Sequence, residues 1–129
     1  IPYVESHYAV KADRADRALA GLSMGAGQAL KIGLKHLDTF AYVGAFSGGG
    51  KNSDKLIPDA ELARKQLRLL WISNGDKDPG FKASESQHQN LESREIPHVW
   101  HIDSGGHTWP VWKNDLYLMS QMLFRRGKE

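Results

Sequence analysis

Short apolar stretches alternate with amphipathic or polar stretches along the whole chain. The apolar stretches have the length and composition of buried strands, and they cover residues 17–22, 39–46, 67–73 and 96–102. The segments around them predict helices over residues 24–37, 59–66, 81–95 and 109–126, and residues 1–8 have the spacing of a helix end. Strands and helices that alternate at this spacing predict an α/β fold, a parallel sheet with right-handed crossovers and helices on both faces.

The predicted helices differ in the residues that they bury. Residues 24–37 carry small and aliphatic side chains at helical spacing, which suits close packing on a sheet. Asp59 is placed to cap the helix that follows it, and Leu91 is the inward residue of a mostly polar helix. The last helix has an apolar stripe formed by Trp112, Leu116, Met119 and Leu123. The polar stretches 9–16 and 51–58 predict connectors.

Composition narrows the classes of protein to consider. A chain of 129 residues suffices for one domain, and because it has no repeat, linker or low-complexity segment, we expect no internal boundary over residues 1–129. Its 17 basic and 15 acidic residues are mixed, and the small basic tail at Arg125, Arg126 and Lys128 suits a helix end better than a nucleic-acid footprint. The absence of cysteine excludes disulfides and thiolate chemistry. No apolar run reaches the 18 residues of a membrane span. We therefore expect neither nucleic acid nor membrane as a partner.

One stretch predicts catalytic chemistry. Gly21-Leu22-Ser23-Met24-Gly25 lies between a predicted strand and a predicted helix, and in that context Gly-x-Ser-x-Gly indicates a nucleophile elbow. Ser23 would lie at the apex of the turn, with Gly21 and Gly25 where the two backbones approach too closely for larger residues. The hydroxyl would then lie at a helix N-terminus, which favours negative charge.

The loops beyond the carboxyl ends of the strands supply the rest of the chemistry, because ligands bind at that edge of a parallel sheet. These loops are residues 23–25, 47–50, 74–80 and 103–108. A serine, two aspartates and a histidine follow in the order Ser, Asp, His, which is the chain order of the α/β-hydrolases. A serine hydroxyl is a weak nucleophile that needs a base, and the base needs an orienting acid.

The candidate base is His107, which alone among the six histidines follows two glycines in the loop after the last strand. His88 lies on a polar helix, where we expect it to be solvated. His98 and His101 are separated by an odd number of positions in the last strand, so they point to opposite faces and make a poor metal pair.

The residues alone leave the acid open among Asp76, Asp78 and Asp103, although Asp103 is close to His107 in sequence. Asp76 and Asp78 would also suit a metal, but they lack histidine ligands nearby in sequence, which disfavours that interpretation. Trp109, two residues after His107, is either a helix anchor or part of a substrate pocket, and Trp112 is the better core candidate. The loop 47–50 either borders the same cleft or is a flexible turn.

The motifs GLSMGAGQAL, FAYVGAFSGG, LWISNGDKD and GGHTWPVWKNDL resemble the esterase-D-like branch of the α/β-hydrolases. That branch includes feruloyl and acetylxylan esterases of carbohydrate esterase family 1, enterochelin esterases and related acyltransferases. The resemblance covers nearly the whole chain, and it implies that Ser23 is the nucleophile, His107 the base and Asp78 the acid. It also implies that the Met24 N–H is one donor of the oxyanion hole.

The resemblance further implies a serine ester hydrolase without metal or organic cofactor, secreted or periplasmic. It implies a small-molecule or carbohydrate ester as substrate, with the feruloyl or acetyl esters of plant cell-wall xylan as the expected class. The family's domain is about twice as long as this chain and begins with strands that precede the elbow strand. We therefore expect the C-terminal half of one catalytic domain, whose N-terminal half, in the same, a separate or a swapped chain, supplies the second oxyanion donor. An enterochelin-type esterase or an acyltransferase on the same scaffold is one alternative, and a non-catalytic binding or assembly homologue is the other.

Overall fold

Four parallel strands form the centre of the computed structural model, which describes residues 1–49 and 53–125, without the side chains of residues 53 and 54. The strands are β1 (Ala18–Leu22), β2 (Tyr42–Phe46), β3 (Leu69–Gly75) and β4 (Val99–Asp103). Each strand pairs with its predecessor in the chain, in the order β1-β2-β3-β4. Leu22 pairs with Phe46, and Phe46 in turn pairs with Ser73. The carboxyl ends of the strands therefore meet at one edge of the sheet.

The helices are α1 (Pro2–His7), α2 (Met24–Gly33), α3 (Ser53–Leu56), α4 (Ala60–Gln66), α5 (Phe81–Ser93) and α6 (Trp109–Ser120), with a short 3₁₀ turn at Arg14–Asp16. Successive side chains of a strand point to opposite faces. One face packs on α2, α4 and α5 through Leu30, Ala63 and Leu91, and the other packs on α6 through Met119. The predicted α/β architecture, with helices on both faces, is confirmed.

Two predicted details of the helices have different outcomes. Asp59 caps α4 as predicted, because its carboxylate accepts a hydrogen bond of 2.9 Å from the Leu62 N–H. The predicted apolar stripe of α6 is wrong at Leu116, which is 53% exposed. The buried row of α6 is instead formed by Val111, Asp115 and Met119. A carboxyl group in the middle of this row is invisible to a search for apolar periodicity.

Several predicted boundaries are also wrong. The helix predicted to reach residue 37 ends at Gly33, because the chain then folds into turns in which the N–H groups of Thr39 and Phe40 bind the His36 carbonyl. Strand β2 consequently begins three residues later than predicted. Strand β3 extends to Gly75, since residues 74 and 75 pair with residues 102 and 103 of β4.

The remaining differences concern connectors and the chain end. The predicted connector 51–58 contains α3, and residues 50–52 lie outside the described part. Strand β4 begins at Val99 rather than at residue 96, and α5 ends at Ser93. Helix α6 ends at Ser120, and the predicted helix end at residue 126 lies outside the described residues. In the described ranges no helix is long and apolar enough to cross a bilayer.

Candidate active site

The turn between β1 and α2 holds Ser23 in a strained conformation, with φ 54° and ψ −119°, a region that residues other than glycine rarely adopt. The Ser23 N–H donates to the Phe46 carbonyl at 2.9 Å. A Cβ at Gly21 would overlap the carbonyl of Gly25, so the prediction that this position is too crowded for a larger residue holds for Gly21. The same prediction is wrong for Gly25, because a Cβ there would meet nothing within 4 Å.

The loop after β2 packs directly against this turn. A Cβ at Gly48 would lie 2.6 Å from the Ser23 carbonyl oxygen and 2.6 Å from the Ala26 Cβ, so the close approach requires glycine. Ser47 also has a positive φ of 51°, and its N–H donates to the Ser73 carbonyl at 2.8 Å. Its side chain is buried and lies near enough to Asp78 to affect that carboxylate. Ser47 is therefore anchored rather than part of a flexible turn.

The structure brings together the side chains of Ser23, Asp78 and His107. The Nδ1 atom of His107 lies 2.8 Å from Asp78 Oδ2, and its Nε2 atom lies 2.8 Å from Ser23 Oγ. Because an ionised carboxylate only accepts hydrogen bonds, Nδ1 carries the proton, and Nε2 is free to accept the Ser23 hydroxyl. The side chain of His107 is 39% exposed and that of Asp78 is 1% exposed. The imidazole therefore bridges a buried carboxylate and a solvent-facing hydroxyl.

The surroundings of Asp78 keep its carboxylate ionised. Burial alone raises the pKa of Asp78, but hydrogen bonds from the Gly80 N–H and His107, the nearby Ser47 hydroxyl and the charge of His107 lower it, and the net pKa is below the ordinary value. The Gly80 N–H donates to Oδ1 at 2.7 Å, so each carboxylate oxygen has its own partner. An acid held in this state fixes the orientation and tautomer of the imidazole.

The two other acid candidates have structural contacts instead. Asp76 is exposed, and its Oδ1 accepts a hydrogen bond of 2.8 Å from the Gly105 N–H. Asp103 accepts a 2.8 Å bond from the Asn114 side chain. Both contacts hold the loop that carries His107. The sequence disfavours only Asp103, which is close to His107, and it does not separate Asp76 from Asp78, because both lie in the loop after β3.

Met24, the predicted oxyanion donor, is the first residue of α2, and the residue is 78% exposed. The first N–H groups of a helix have no acceptor within the helix. Together with the helix dipole, they attract negative charge at this end. The Met24 N–H is therefore suitably placed in the chain to bind an anion that forms on a group attached to Ser23.

An apolar cleft of about 360 Å³ borders the serine turn. Its lining comes from the ends of β1 and β2 and from one side of α6, and consists of Leu22, Phe46, Trp109, Pro110, Trp112, Lys113 and Leu116. Trp109 is 70% exposed, as suits a pocket residue better than a helix anchor. Trp112 packs partly on the core, as predicted, but its ring also meets His107 edge-on, with centroids 4.9 Å apart. The cleft thus adjoins the His107 imidazole.

Two of the remaining histidines meet each other outside this site. His88 is half-buried and stacks on Trp100, so the prediction that it is solvated is wrong. His98 contacts His88, whereas His101 contacts Trp71 of the opposite sheet face, so the predicted divergence of His98 and His101 is confirmed. Within residues 1–49 and 53–125, no group of three or more histidine, cysteine or acidic side chains could hold a metal.

A parallel sheet with a strained serine turn after one strand, and an aspartate and a histidine after later strands, defines an α/β-hydrolase. Comparison with known proteins leads to the same class. Residues 1–123 match the model of the Esterase family, described as "Putative esterase", and the chain belongs to that family. The family resemblance noted in the sequence is thereby confirmed.

Individual relatives agree with this assignment. The chain is 29% identical over 126 residues to an endo-1,4-beta-xylanase/feruloyl esterase of Xylanibacter ruminicola, covering 97% of this chain and 16% of the relative. A ferulic acid esterase of Anaeromyces mucronatus, solved with ferulic acid, is 28% identical with a TM-score of 0.82 over 95% of this chain and 50% of that one. The enterobactin esterase of Shigella flexneri is 28% identical with a TM-score of 0.73, over 95% and 34%. The chain therefore spans half or less of the length of these three relatives.

Proposed function

We propose that this chain carries the nucleophile, base and acid of a serine carboxylic-ester hydrolase. The observation that supports this most strongly is the pair of 2.8 Å contacts that link Ser23 Oγ, His107 and Asp78 Oδ2. The half-exposed imidazole faces a hydroxyl held at a strained turn, while the carboxylate behind it is buried and ionised. These are the three roles that acyl transfer through a serine requires.

In the proposed reaction, His107 Nε2 takes the proton of Ser23 as Oγ attacks the ester carbonyl carbon. The tetrahedral oxyanion then collapses, the C–O bond to the alcohol breaks, and His107 returns the proton to the leaving alcohol. Water attacks the resulting acyl-serine with His107 as base, which releases the acid and restores Ser23. Asp78 stabilises the imidazolium during both steps without itself taking up a proton.

The Met24 N–H is the proposed donor to the oxyanion from this chain. We propose that the second donor comes from the N-terminal half of the same catalytic domain, with residues 1–129 forming the C-terminal half. The chain spans about half of the solved Anaeromyces mucronatus esterase, which supports this division. Removing one oxyanion donor costs about 2.7–4 kcal/mol of transition-state stabilisation, so full activity requires both halves.

The proposed substrates are esters of plant cell-wall carbohydrates, feruloyl or acetyl. The relatives named for feruloyl esterase activity support this class, and the exposed Trp109 ring in the apolar cleft suits an aromatic acyl group. The Shigella flexneri enterobactin esterase, solved in the presence of 2,3-dihydroxy-N-benzoyl-glycine, supports a second candidate, a siderophore ester that carries an aromatic group near the ester bond.

Rates on methyl ferulate, acetylated xylan and enterobactin test the substrate class, measured with the protein that contains the complete catalytic domain. We expect hydrolysis of methyl ferulate or acetylated xylan, and its loss in Ser23→Ala. Turnover of enterobactin alone would favour the second candidate. If Ser23→Ala were as active as the wild type on every ester, the proposed chemistry would be refuted.

A further inference from the structure

Hydrogen bonds join the two loops that carry the acid and the base of the candidate site. The acid loop, residues 76–80, follows β3, and the base loop, residues 104–108, follows β4. The Asp76 N–H donates to the Asp103 carbonyl at 2.9 Å, and the N–H of the next residue donates to the Gly105 carbonyl at 2.8 Å. These two bonds continue the parallel pairing of β3 with β4 beyond the sheet.

A side chain of the acid loop adds a bond in the opposite direction. The Gly105 N–H donates to Asp76 Oδ1 at 2.8 Å. Gly105 lies two residues before His107, and Asp76 lies two residues before Asp78. The Oδ2 atom of Asp78 in turn lies 2.8 Å from His107 Nδ1. The acid loop therefore holds the base loop at two points with matching spacing, first at a backbone N–H and then at the imidazole.

Glycines make the base loop dependent on such restraints. A Cβ at Gly75 would overlap the carbonyl of Gly105, so the two loops approach each other closely. Gly105 has a φ of 141°, in the region that favours glycine. Glycine permits this conformation but loses more conformational freedom on folding than any other residue. Because Gly106 follows directly, two consecutive glycines lead to His107, and their conformation depends on the hydrogen bonds that they make.

We propose that Asp76 is a positioning residue of the candidate active site. Its carboxylate fixes the orientation of the Gly105 N–H, and the loop then presents His107 with Nδ1 facing Asp78. The role requires an acceptor oxygen rather than a negative charge, because the partner is a neutral backbone N–H. Asp76 is exposed, so its replacement leaves the packing of the core intact. The proposal rests on the proposed function, in which His107 is the base.

Steady-state hydrolysis of para-nitrophenyl acetate by the complete catalytic domain tests this role. Asp76→Ala is expected to lower kcat about 10- to 100-fold with little change in KM, because small displacements of a catalytic group are costly. Asp76→Asn keeps the acceptor oxygen without the charge and should stay close to wild type. The matched control is Asp59→Ala, which removes a 2.9 Å bond from a backbone N–H to another exposed aspartate, at the start of α4. The control should leave kcat unchanged.

The NMR signal of the His107 Nδ1 proton provides a readout that needs no substrate. This proton, held by Asp78, should be visible in wild type, Asp76→Asn and Asp59→Ala, and should broaden by exchange with water in Asp76→Ala. Full kcat in Asp76→Ala, or an unchanged His107 signal, would overturn the proposal. Equal losses of kcat in Asp76→Asn and Asp76→Ala would overturn it too, because they would indicate a need for charge. In each of these cases, loss of activity in Ser23→Ala would leave the proposed function intact.

Discussion

Replacement of Asp115 by Asn is expected to change stability in a pH-dependent way. The free energy of unfolding of the variant, compared with that of wild type, should be higher at neutral pH than at acid pH. Asp115 is fully buried on α6, and in the described residues neither carboxylate oxygen has a hydrogen bond of standard geometry. Burial, with a contribution from the charge of Asp103, raises the pKa of Asp115 from 3.8 to about 6, although the Ser73 hydroxyl opposes the change. The folded chain therefore favours the protonated carboxyl.

The sign of the effect follows from proton linkage. Between pH 4 and pH 6 the folded state holds a proton on Asp115 that the unfolded state has released, so the free energy of unfolding falls as the pH rises. A difference of one pH unit in pKa corresponds to 1.36 kcal/mol, and the difference between 3.8 and about 6 gives up to about 3 kcal/mol. This contribution is fully present only well below pH 3.8, and it is lost as the pH rises through about 6. Asparagine does not titrate and should show no such loss.

Urea unfolding of the protein that contains the complete catalytic domain, followed by tryptophan fluorescence at pH 4 to 8, measures this effect. The free energy of unfolding of Asp115→Asn, minus that of wild type, should rise by about 2–3 kcal/mol from pH 4 to pH 8. Titrating groups that do not interact with Asp115 cancel in this difference. Asp13→Asn, which removes an exposed carboxylate, is the matched control. A flat difference for Asp115→Asn would refute the reasoning.

Three further predictions concern the serine turn and its surroundings. Gly21→Ala should lower the free energy of unfolding by about 1–3 kcal/mol in urea titrations, because its Cβ overlaps Gly25; Gly27→Ala, where a Cβ meets nothing, should instead be neutral or slightly stabilising. Asp78→Asn should lower kcat about 10⁴-fold with a nearly unchanged KM in steady-state assays, because the imidazole loses its orienting acid; retention of full kcat would count against that role. Trp109→Ala should raise KM for methyl ferulate about 2- to 10-fold but leave KM for an aryl acetate unchanged; equal effects from Tyr117→Ala, an exposed aromatic control, would contradict a role in the cleft.

The alternation of strands and helices was readable from the sequence because each buried strand is a short apolar run. The helix after Ser23 was predicted four residues too long, since Leu34 and Leu37 are buried even though they lie in turns beyond Gly33. Burial sets the hydrophobic pattern of the sequence, whereas backbone hydrogen bonds set the residue at which a helix ends. The burial of Asp115 has no signal in the sequence, because a charged residue on a buried helix face breaks the apolar pattern that identifies the face.

How well the sequence predicts the candidate site differs from one residue to the next. The strand, turn and helix around Ser23 form one continuous segment, so local pattern suffices there. The choice among Asp76, Asp78 and Asp103 depends on which carboxylate faces the imidazole, and that contact joins loops 29 residues apart. The contact of His88 with His98 likewise crosses from α5 to the start of β4, and no local spacing predicts it.

Mass spectrometry after reaction with a fluorophosphonate probe tests the central claim, that Ser23 is the nucleophile, most directly. The probe forms a stable bond to a serine that a neighbouring base activates. With the complete catalytic domain, one adduct is expected on the peptide that contains Ser23, absent in Ser23→Ala and strongly reduced in His107→Ala. A folded protein that hydrolyses esters without any adduct on Ser23, or one labelled at a different serine, would contradict the account.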